Sequence, residues 1–485
     1  MMDVLVLLLR QVSDPRKLSV LALSLFALAH LYQISAPPNG YHQWRESDTA
    51  AVALNYSQED FNILRPRINQ RGAGSGITGM EIPAYTYSVA ILYKIFGPHH
   101  FLPRSVTLCL GLLGLWWFAR IVELIWGKAA APFALWALAF SPLYFFYAFK
   151  IMPDMTMISL LLGAVYYFVR YIGTAKTTDL AISCALLVVS ACLKPVGLAL
   201  YLPFLWILWR KSRRRKKRLL HFGGYIALSF SLVMVWFDYA RGVNEVHGNP
   251  GFYLGETFWD FPETWFSMKH IKKVFLQWPP ELWIGWGMLP AFIIGVFQSL
   301  KRKTGGVFLL WIIAGYIVLG LTSQLSTNHD YYSLVIVPAF AALTGFGLWW
   351  MNLSGGWKRG IAVILMIIAP VASFIRISHR FSDVPEFADI RADTAEYIMP
   401  GALVMVEDPT QAIRLYQLNR HGWPLRHGIK SDVIARNIES GAEFLVLENS
   451  FDRYGQTDAL ARLIETDSLF RLAKLYGYPV RQTLP

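Results

Sequence analysis

Residues 129–148 read AAAPFALWALAFSPLYFFYA, twenty consecutive positions without a charged side chain. About 20 such residues let a helix cross the hydrocarbon core of a bilayer. Apolar runs recur at 18–36, 105–126, 155–172, 181–209, 222–240, 284–300, 307–325, 334–350 and 361–377. Of the 485 residues, 55% are hydrophobic, and the mean hydropathy is +0.38. A soluble fold of this length cannot bury that much apolar surface. Only helices and closed barrels satisfy their backbone groups in lipid, and these runs have helical length. The expectation is a polytopic α-helical membrane protein with about 11–13 transmembrane helices.

Charge sets the orientation. Arg10, Arg16 and Lys17 flank the first run, and residues 210–218 read RKSRRRKKR directly after another. Such positive blocks stay cytoplasmic and are attracted to anionic headgroups. Much of the net charge of +13 is therefore topological. No folded basic face is left to serve a nucleic acid. Residues 1–10 are too brief for a separate secretory signal. Cys109, Cys184 and Cys192 all lie in apolar runs and read as small core residues, not as a disulfide framework or metal site.

From these anchors, residues 1–379 read as a transmembrane domain with outer loops at 37–82 and 241–283. The segment 326–332 falls on the same outer face. Residues 380–485 hold no run long enough to span. Stretches 402–407 and 443–448 look like short buried strands, and 409–420, 431–440 and 458–465 look like helices. This is the pattern of a small α/β domain of ordinary size, expected outside. The crossings between loop 37–82 and the basic block must be odd in number. Segment 83–97 is the weakest spanner, with Glu81 and Pro83 at its start. If it is re-entrant, Asp154 and Lys194 fall on the outer face. If instead Lys194-Pro195 only kinks a single span at 181–209, Asp154 falls inside.

Chemistry concentrates in a few places. Tyr41-His-Gln-Trp-Arg-Glu-Ser-Asp48 sets a carboxylate, an arginine, a histidine and an indole at a membrane surface. Asp48 could act as a general base, its pKa raised by burial against Trp44. The plainer reading has Ser47 or Asp48 capping a short interfacial helix over 49–56, with Arg45 and Glu46 a solvated pair. Asp154 follows Pro153 at the start of a run. It either begins a helix or orients acceptor or lipid; Lys150 could neutralise it. Lys194 stands in an apolar run, where a lysine is costly unless paired. It either snorkels or holds a lipid phosphate. Asn328-His-Asp-Tyr-Tyr332 offers His329, Asp330, Tyr331 and Tyr332 to departing negative charge. An interfacial aromatic belt would explain the tyrosines, but not His329.

Arg65, Arg67 and Arg71 are either phosphate ligands or ordinary loop charges. Gly72-Ala-Gly-Ser-Gly76 lacks the Lys-Ser/Thr ending of a phosphate loop and reads as flexible. The absence of HExxH, CxxC and GxSxG removes support for a zinc peptidase or a serine hydrolase.

Taken in order, His42-Gln-Trp-Arg-Glu-Ser-Asp48, Glu81-Ile-Pro-Ala-Tyr85, Ser141-Pro-Leu, Met152-Pro-Asp154, Leu193-Lys-Pro-Val-Gly197 and His329-Asp-Tyr-Tyr332 form a set. Each is weak alone. The ordered set resembles the bacterial membrane glycosyltransferases of the protein O-mannosyltransferase and lipid A aminoarabinose transferase type, over roughly residues 15–350. The resemblance implies the multi-span C-type glycosyltransferase fold and a site at the outer face of the cell inner (cytoplasmic) membrane. It also implies a polyprenyl-phosphate sugar donor and a periplasmic C-terminal domain.

By the same resemblance Asp48 matches the catalytic base. Lys194 and His329 with Tyr331 match positions around the donor phosphate. Trp44, Arg45, Glu81, Tyr85, Asp154, Asp330 and Tyr332 are the further candidate substrate-binding residues. Two departures stand out. Glu81-Ile-Pro83 replaces a common Lys-Pro-Pro or His-Pro-Pro, and Lys194-Pro195 replaces Lys-Gly-Pro.

The expected reaction is one inverting displacement by a lipid, glycan or protein acceptor, with membrane lipids as further partners. The phosphate is already a good leaving group, so one carboxylate suffices where retaining glycosidases need two. The sequence leaves metal use open: Asp48 and Asp154 could bind a divalent metal ion through hard oxygen ligands, and no other cofactor is called for. The rival classes are a lipid-linked glycan transporter or flippase and an envelope polysaccharide polymerase or ligase. Transporters tend to show internal repeats, and no repeat is evident.

Overall fold

The computed structural model describes residues 14–211, 215–248, 264, 266–381, 390–408, 410, 412–425, 430–448, 470–472 and 475–480. Arg10, residues 212–214 of the basic block, most of 249–265 and the expected helix at 458–465 lie outside the described residues. The chain is a polytopic α-helical membrane protein with a small mixed sheet near its C-terminus. Among the described residues, four helices are long and apolar enough to cross a bilayer: Phe101–Trp126, Asp154–Thr174, Lys216–His247 and Gly356–Ser378. A pair, Met268–Trp283 and Trp286–Lys301, passes only when joined and bends by 94°.

Other expected spans are shorter or broken, and proline is a recurrent cause. The run 129–148 divides into Ala131–Ala139 and Pro142–Tyr147. Pro142 lacks an N–H and would clash with the carbonyl four residues back. Ser141 before it takes the extended conformation that a following proline imposes, φ −64° and ψ 124°. The run 181–209 breaks the same way. Helix Thr177–Leu193 stops at Lys194, which is extended at φ −152° and ψ 122°. A 3₁₀ turn Pro195–Leu200 and helix Tyr201–Lys211 follow. The break at Pro195 is real and not a kink. Helix Ala84–Phe96 has 13 residues, about 20 Å at 1.5 Å per residue, too short to cross alone.

The described residues group into two compact units. The first draws on Met1–Ile34, Ser105–Phe237 and Glu256–His379. Its interior holds Trp136, Trp283 and Trp311, all fully buried. Each indole N–H finds an acceptor: Met366 O at 3.0 Å, Ser333 Oγ at 2.9 Å and Val335 O at 2.7 Å. Buried indoles need such a partner. Helices Leu289–Lys301 and Val337–Leu353 meet backbone to backbone at Gly295 and Gly347. A Cβ on Gly295 would lie 1.8 Å from the Leu343 carbonyl oxygen. Small residues permit this approach where packing, not water, holds helices together.

The second unit draws on Ser35–Arg104, Asp238–Gly255 and Arg380–Pro485. Its sheet runs β2-β1-β3-β5-β4, with β1 Leu403–Glu407, β2 His421–Leu425, β3 Phe444–Leu447, β4 Phe470–Leu472 and β5 Leu475–Pro479. Strands β2 and β3 flank β1 in parallel, and the hairpin β4–β5 adds antiparallel through β5. Strands β1 and β3 and helix Ser431–Glu439 fall where the sequence pattern puts them. The expected helix 409–420 shrinks to Ile413–Leu418.

Loop 37–82 is not simply a polar excursion. It contains helix Gln43–Gln58, buried from Arg45 through Tyr56. Residues 69–72 hydrogen-bond the edge of β2: Gly72 N donates to Gly422 O at 2.9 Å, and Gly422 N to Asn69 O at 3.1 Å.

Candidate functional site

Helix Gln43–Gln58 begins at His42, whose backbone is left-handed at φ 65°. Ser47 and Asp48 therefore sit inside the helix, and the capping role considered for them is excluded. Arg45 and Asp48 are three residues apart, so they share a face. Arg45 Nη1 donates to Asp48 Oδ2 at 3.2 Å, and its Nη2 to Glu81 Oε1 at 2.5 Å. Arg45 and Asp48 are each at most 4% exposed. One guanidinium thus serves two carboxylates. The other oxygen of Glu81 is buried with no hydrogen-bond partner among the described residues.

Burying a carboxylate costs several kcal/mol, and a shared cation does not offset all of it. Burial accordingly holds the Asp48 carboxyl above the usual range; Arg45 opposes the shift through its charge and hydrogen bond, and Glu81 adds to it. The result is a carboxylate made more basic, as proton abstraction requires.

Glu46 does a different job. Its Oε1 accepts from Arg104 Nη1 at 3.2 Å and its Oε2 from Asn39 N at 3.3 Å. Arg104 also donates to Ala36 O and Pro37 O, both at 2.8 Å. Together they pin the chain leading into the helix. Glu46 and Arg45 are not a solvated pair. Tyr85 is buried, and its hydroxyl donates to Pro103 O at 3.0 Å. Trp44 is half-buried.

Two of the loop arginines, Arg67 and Arg71, are taken by carboxylates of the same loop, while Arg65 is exposed. Arg71 pairs with Glu59 at 2.7 Å, and Arg67 reaches Glu59 at 3.4 Å and Asp60 at 3.6 Å. Arg71 also donates to His421 Nδ1 at 3.1 Å. The stretch from Gly72 to Gly76 is exposed at 73–75 and packed at its two ends. Gly72 is left-handed at φ +54°, and a Cβ there would lie 2.7 Å from the Trp423 indole nitrogen.

The second cluster is in the other unit. Because Pro195 ends the preceding helix, Lys194 is extended and its amine forms an ion pair with Asp154. The amine also lies 3.8 Å from the Tyr331 ring centroid and 4.8 Å from that of Tyr332. Such a cation is held by the ring quadrupoles as well as by the carboxylate. Lys194 is 9% exposed, so it does not snorkel. Asp154 Oδ1 faces Lys194, while its Oδ2 is buried without a hydrogen-bond partner among the described residues. The His329 ring stacks on Tyr331 at 5.2 Å, and Tyr147 donates its hydroxyl to Asp330.

The candidates thus form two groups. Trp44, Arg45, Asp48, Glu81 and Tyr85 belong to one unit; Asp154, Lys194, His329, Asp330, Tyr331 and Tyr332 belong to the other. Among the described residues, no group of three or more His, Cys, Asp or Glu side chains could hold a metal ion. Arg104 and Tyr147 escape sequence reasoning. A basic residue before a span reads as a topological charge, and one tyrosine in an aromatic run carries no distinguishing mark.

Residues 81–237 match the family model of the dolichyl-phosphate-mannose-protein mannosyltransferases. No curated protein sequence matches the chain. Among solved structures, ArnT from Cupriavidus metallidurans in the apo state is similar over 96% of this chain and 98% of its own, with TM-score 0.66 and 16% identity. The same protein bound to undecaprenyl phosphate gives TM-score 0.64 and 15% identity, over 95% of this chain and 97% of its own. The oligosaccharyltransferase AglB from Archaeoglobus fulgidus, in complex with an inhibitory peptide and a dolichol-phosphate, gives 0.56 and 10%, over 89% and 69%. At these identities the likeness is one of fold. The chain is a multi-pass membrane protein with the C-type glycosyltransferase fold, and its residues 81–237 are similar to the dolichyl-phosphate-mannose-protein mannosyltransferase family.

Proposed function

We propose that this chain is an inverting glycosyltransferase. It moves a sugar from a polyprenyl-phosphate donor to a lipid, glycan or protein acceptor at the outer face of the cytoplasmic membrane. The C-terminal segment then lies in the periplasm. The observation that carries the reading is Asp48: a buried carboxylate, raised in pKa, gripped by Arg45 and set on a rigid helix. The fold shared with a protein seen bound to undecaprenyl phosphate supports the donor class.

In the proposed step an acceptor O–H or N–H hydrogen-bonds to Asp48. The acceptor atom forms its bond to the anomeric carbon as the bond from that carbon to the phosphate oxygen breaks. The proton goes to Asp48, and the electron pair leaves with polyprenyl phosphate. Lys194, His329 and Tyr331 stabilise the phosphate charge, the main electrostatic task of such a step. Arg45 supplies the positive charge beside Asp48 that a divalent ion would otherwise bring. The reaction is therefore proposed to proceed without a metal.

The test uses purified full-length protein in nanodiscs with a radiolabelled polyprenyl-phosphate sugar. Transfer or slow donor hydrolysis is expected, unchanged by EDTA and lost in Asp48→Asn. At about 10²–10⁴-fold for a general base, the loss is easily read. Near-normal transfer by a folded Asp48→Asn would remove Asp48 from the role. Lipid translocation without transfer would favour a flippase, and chain growth of a lipid-linked glycan a polymerase.

A further inference from the structure

The pairing of Lys194 with Asp154 bears on how the phosphate is released. A polyprenyl-phosphate sugar is a phosphodiester with one negative charge. The product, polyprenyl phosphate, is a monoester whose second pKa is about 6, so it carries nearly two at neutral pH. A lone lysine between two tyrosine rings would hold the product more tightly than the donor, and turnover would stall on release. Lys194 is not alone. Asp154 is 0% exposed and keeps one oxygen on the lysine amine. Its second oxygen is buried without a hydrogen-bond partner among the described residues. Desolvated charge interacts over longer range than charge in water. A phosphate arriving at Lys194 must therefore share the cation with a fixed carboxylate.

We propose that Asp154 is a counter-charge: it cancels part of the field of Lys194, which lowers the extra grip that the cation would have on the doubly charged product over the singly charged donor phosphodiester and so speeds its release. The inference rests on the phosphate role given to Lys194 in the proposed function. Asp154 acts on the phosphate through charge and through the position of Lys194; it takes no proton and makes no bond. Coulomb repulsion scales with charge, so the logarithm of the penalty is about twice as large for the monoester as for a diester.

The measurement compares two probes on full-length protein in nanodiscs at pH 8: undecaprenyl phosphate and its methyl phosphodiester, which carries one charge and no sugar. Asp154→Asn should tighten the diester by roughly threefold and the monoester by roughly tenfold, in line with their charges. In the wild type, where the two charges largely cancel, any preference for the monoester over the diester should be less than tenfold. That comparison needs no variant and stands even if Asp154→Asn fails to fold. A wild-type preference for the monoester of tenfold or more overturns the proposal, as does a folded Asp154→Asn that shifts both probes equally or not at all. Lys194→Gln separates the two readings. If it weakens both probes while Asp154→Asn leaves their ratio fixed, only the counter-charge idea fails. If it changes neither probe, the phosphate role of Lys194 itself fails.

Discussion

Arg45 divides its two Nη groups between Asp48 and Glu81, so the strength of the base depends on a residue that need not touch the reacting atoms. The sign follows from the charges. A base works only when ionised, so the rate rises as pH passes upward through its pKa. Burial and Glu81 push that pKa up, and Arg45 pulls it down. Glu81→Gln removes an upward push and leaves Arg45 wholly to Asp48. The acidic limb of the pH–rate profile should move to lower pH, with Asp48 still essential. A limb that stays fixed or moves to higher pH would count against this arrangement. The sequence marked both carboxylates, but not that they share one guanidinium. The three-residue spacing that sets Arg45 beside Asp48 goes unread when the helix is expected to start only at residue 49; the contact to Glu81 crosses 36 residues, and hydropathy carries no signal for it.

Among the elements, several helix ends that build the site are set by proline. Sequence alone left open whether Pro195 breaks or only kinks a span. The break is decided locally, because a residue before proline is steered away from helical backbone. Lys194 at φ −152° owes its position to that rule. Pro195→Ala lifts the restriction and lets the helix ending at Leu193 run on, carrying the lysine off the tyrosine rings. Loss of a proline costs about 0.4–1 kcal/mol through the unfolded chain alone. Function should fall further, with the donor KM rising roughly tenfold, equivalent to about 1.4 kcal/mol. Thermal unfolding and donor titration on the same preparation separate the two effects; an unchanged KM would show that the backbone at Lys194 does not depend on Pro195. The broken run at 129–148 follows the same logic, yet its twenty uncharged residues read as one span. Apolar length says that a segment is buried in lipid or protein; it does not say that the helix is continuous.

At the scale of the whole molecule, the membrane class was legible because hydropathy sums over many residues. The grouping of distant segments was not, because it rests on a few polar contacts between stretches hundreds of residues apart. Residues 35–104 share one compact unit with the C-terminal segment. Within it Asn69 Nδ2 reaches Leu415 O at 3.5 Å, Gly72 and Asn69 pair with Gly422, and Arg71 donates to His421. Tyr41 N donates to Arg380 O at 2.9 Å, one residue from the helix start at His42. A separable C-terminal domain could be removed without harm to the loop that bears Asp48. These contacts argue otherwise. Truncation at residue 379 would take from the Gly72 N–H its acceptor, leave Asn69 O with Arg71 N as its remaining backbone donor, and uncover Gly72 where Trp423 packs, at a cost of about 0.5–1.5 kcal/mol for each hydrogen bond lost. The truncated protein should insert in the membrane yet lose transfer, and protease should now cut between residues 59 and 77. If the shortened chain keeps its activity and that loop stays resistant, the two segments do not depend on one another, and the sheet serves something other than the support of Asp48.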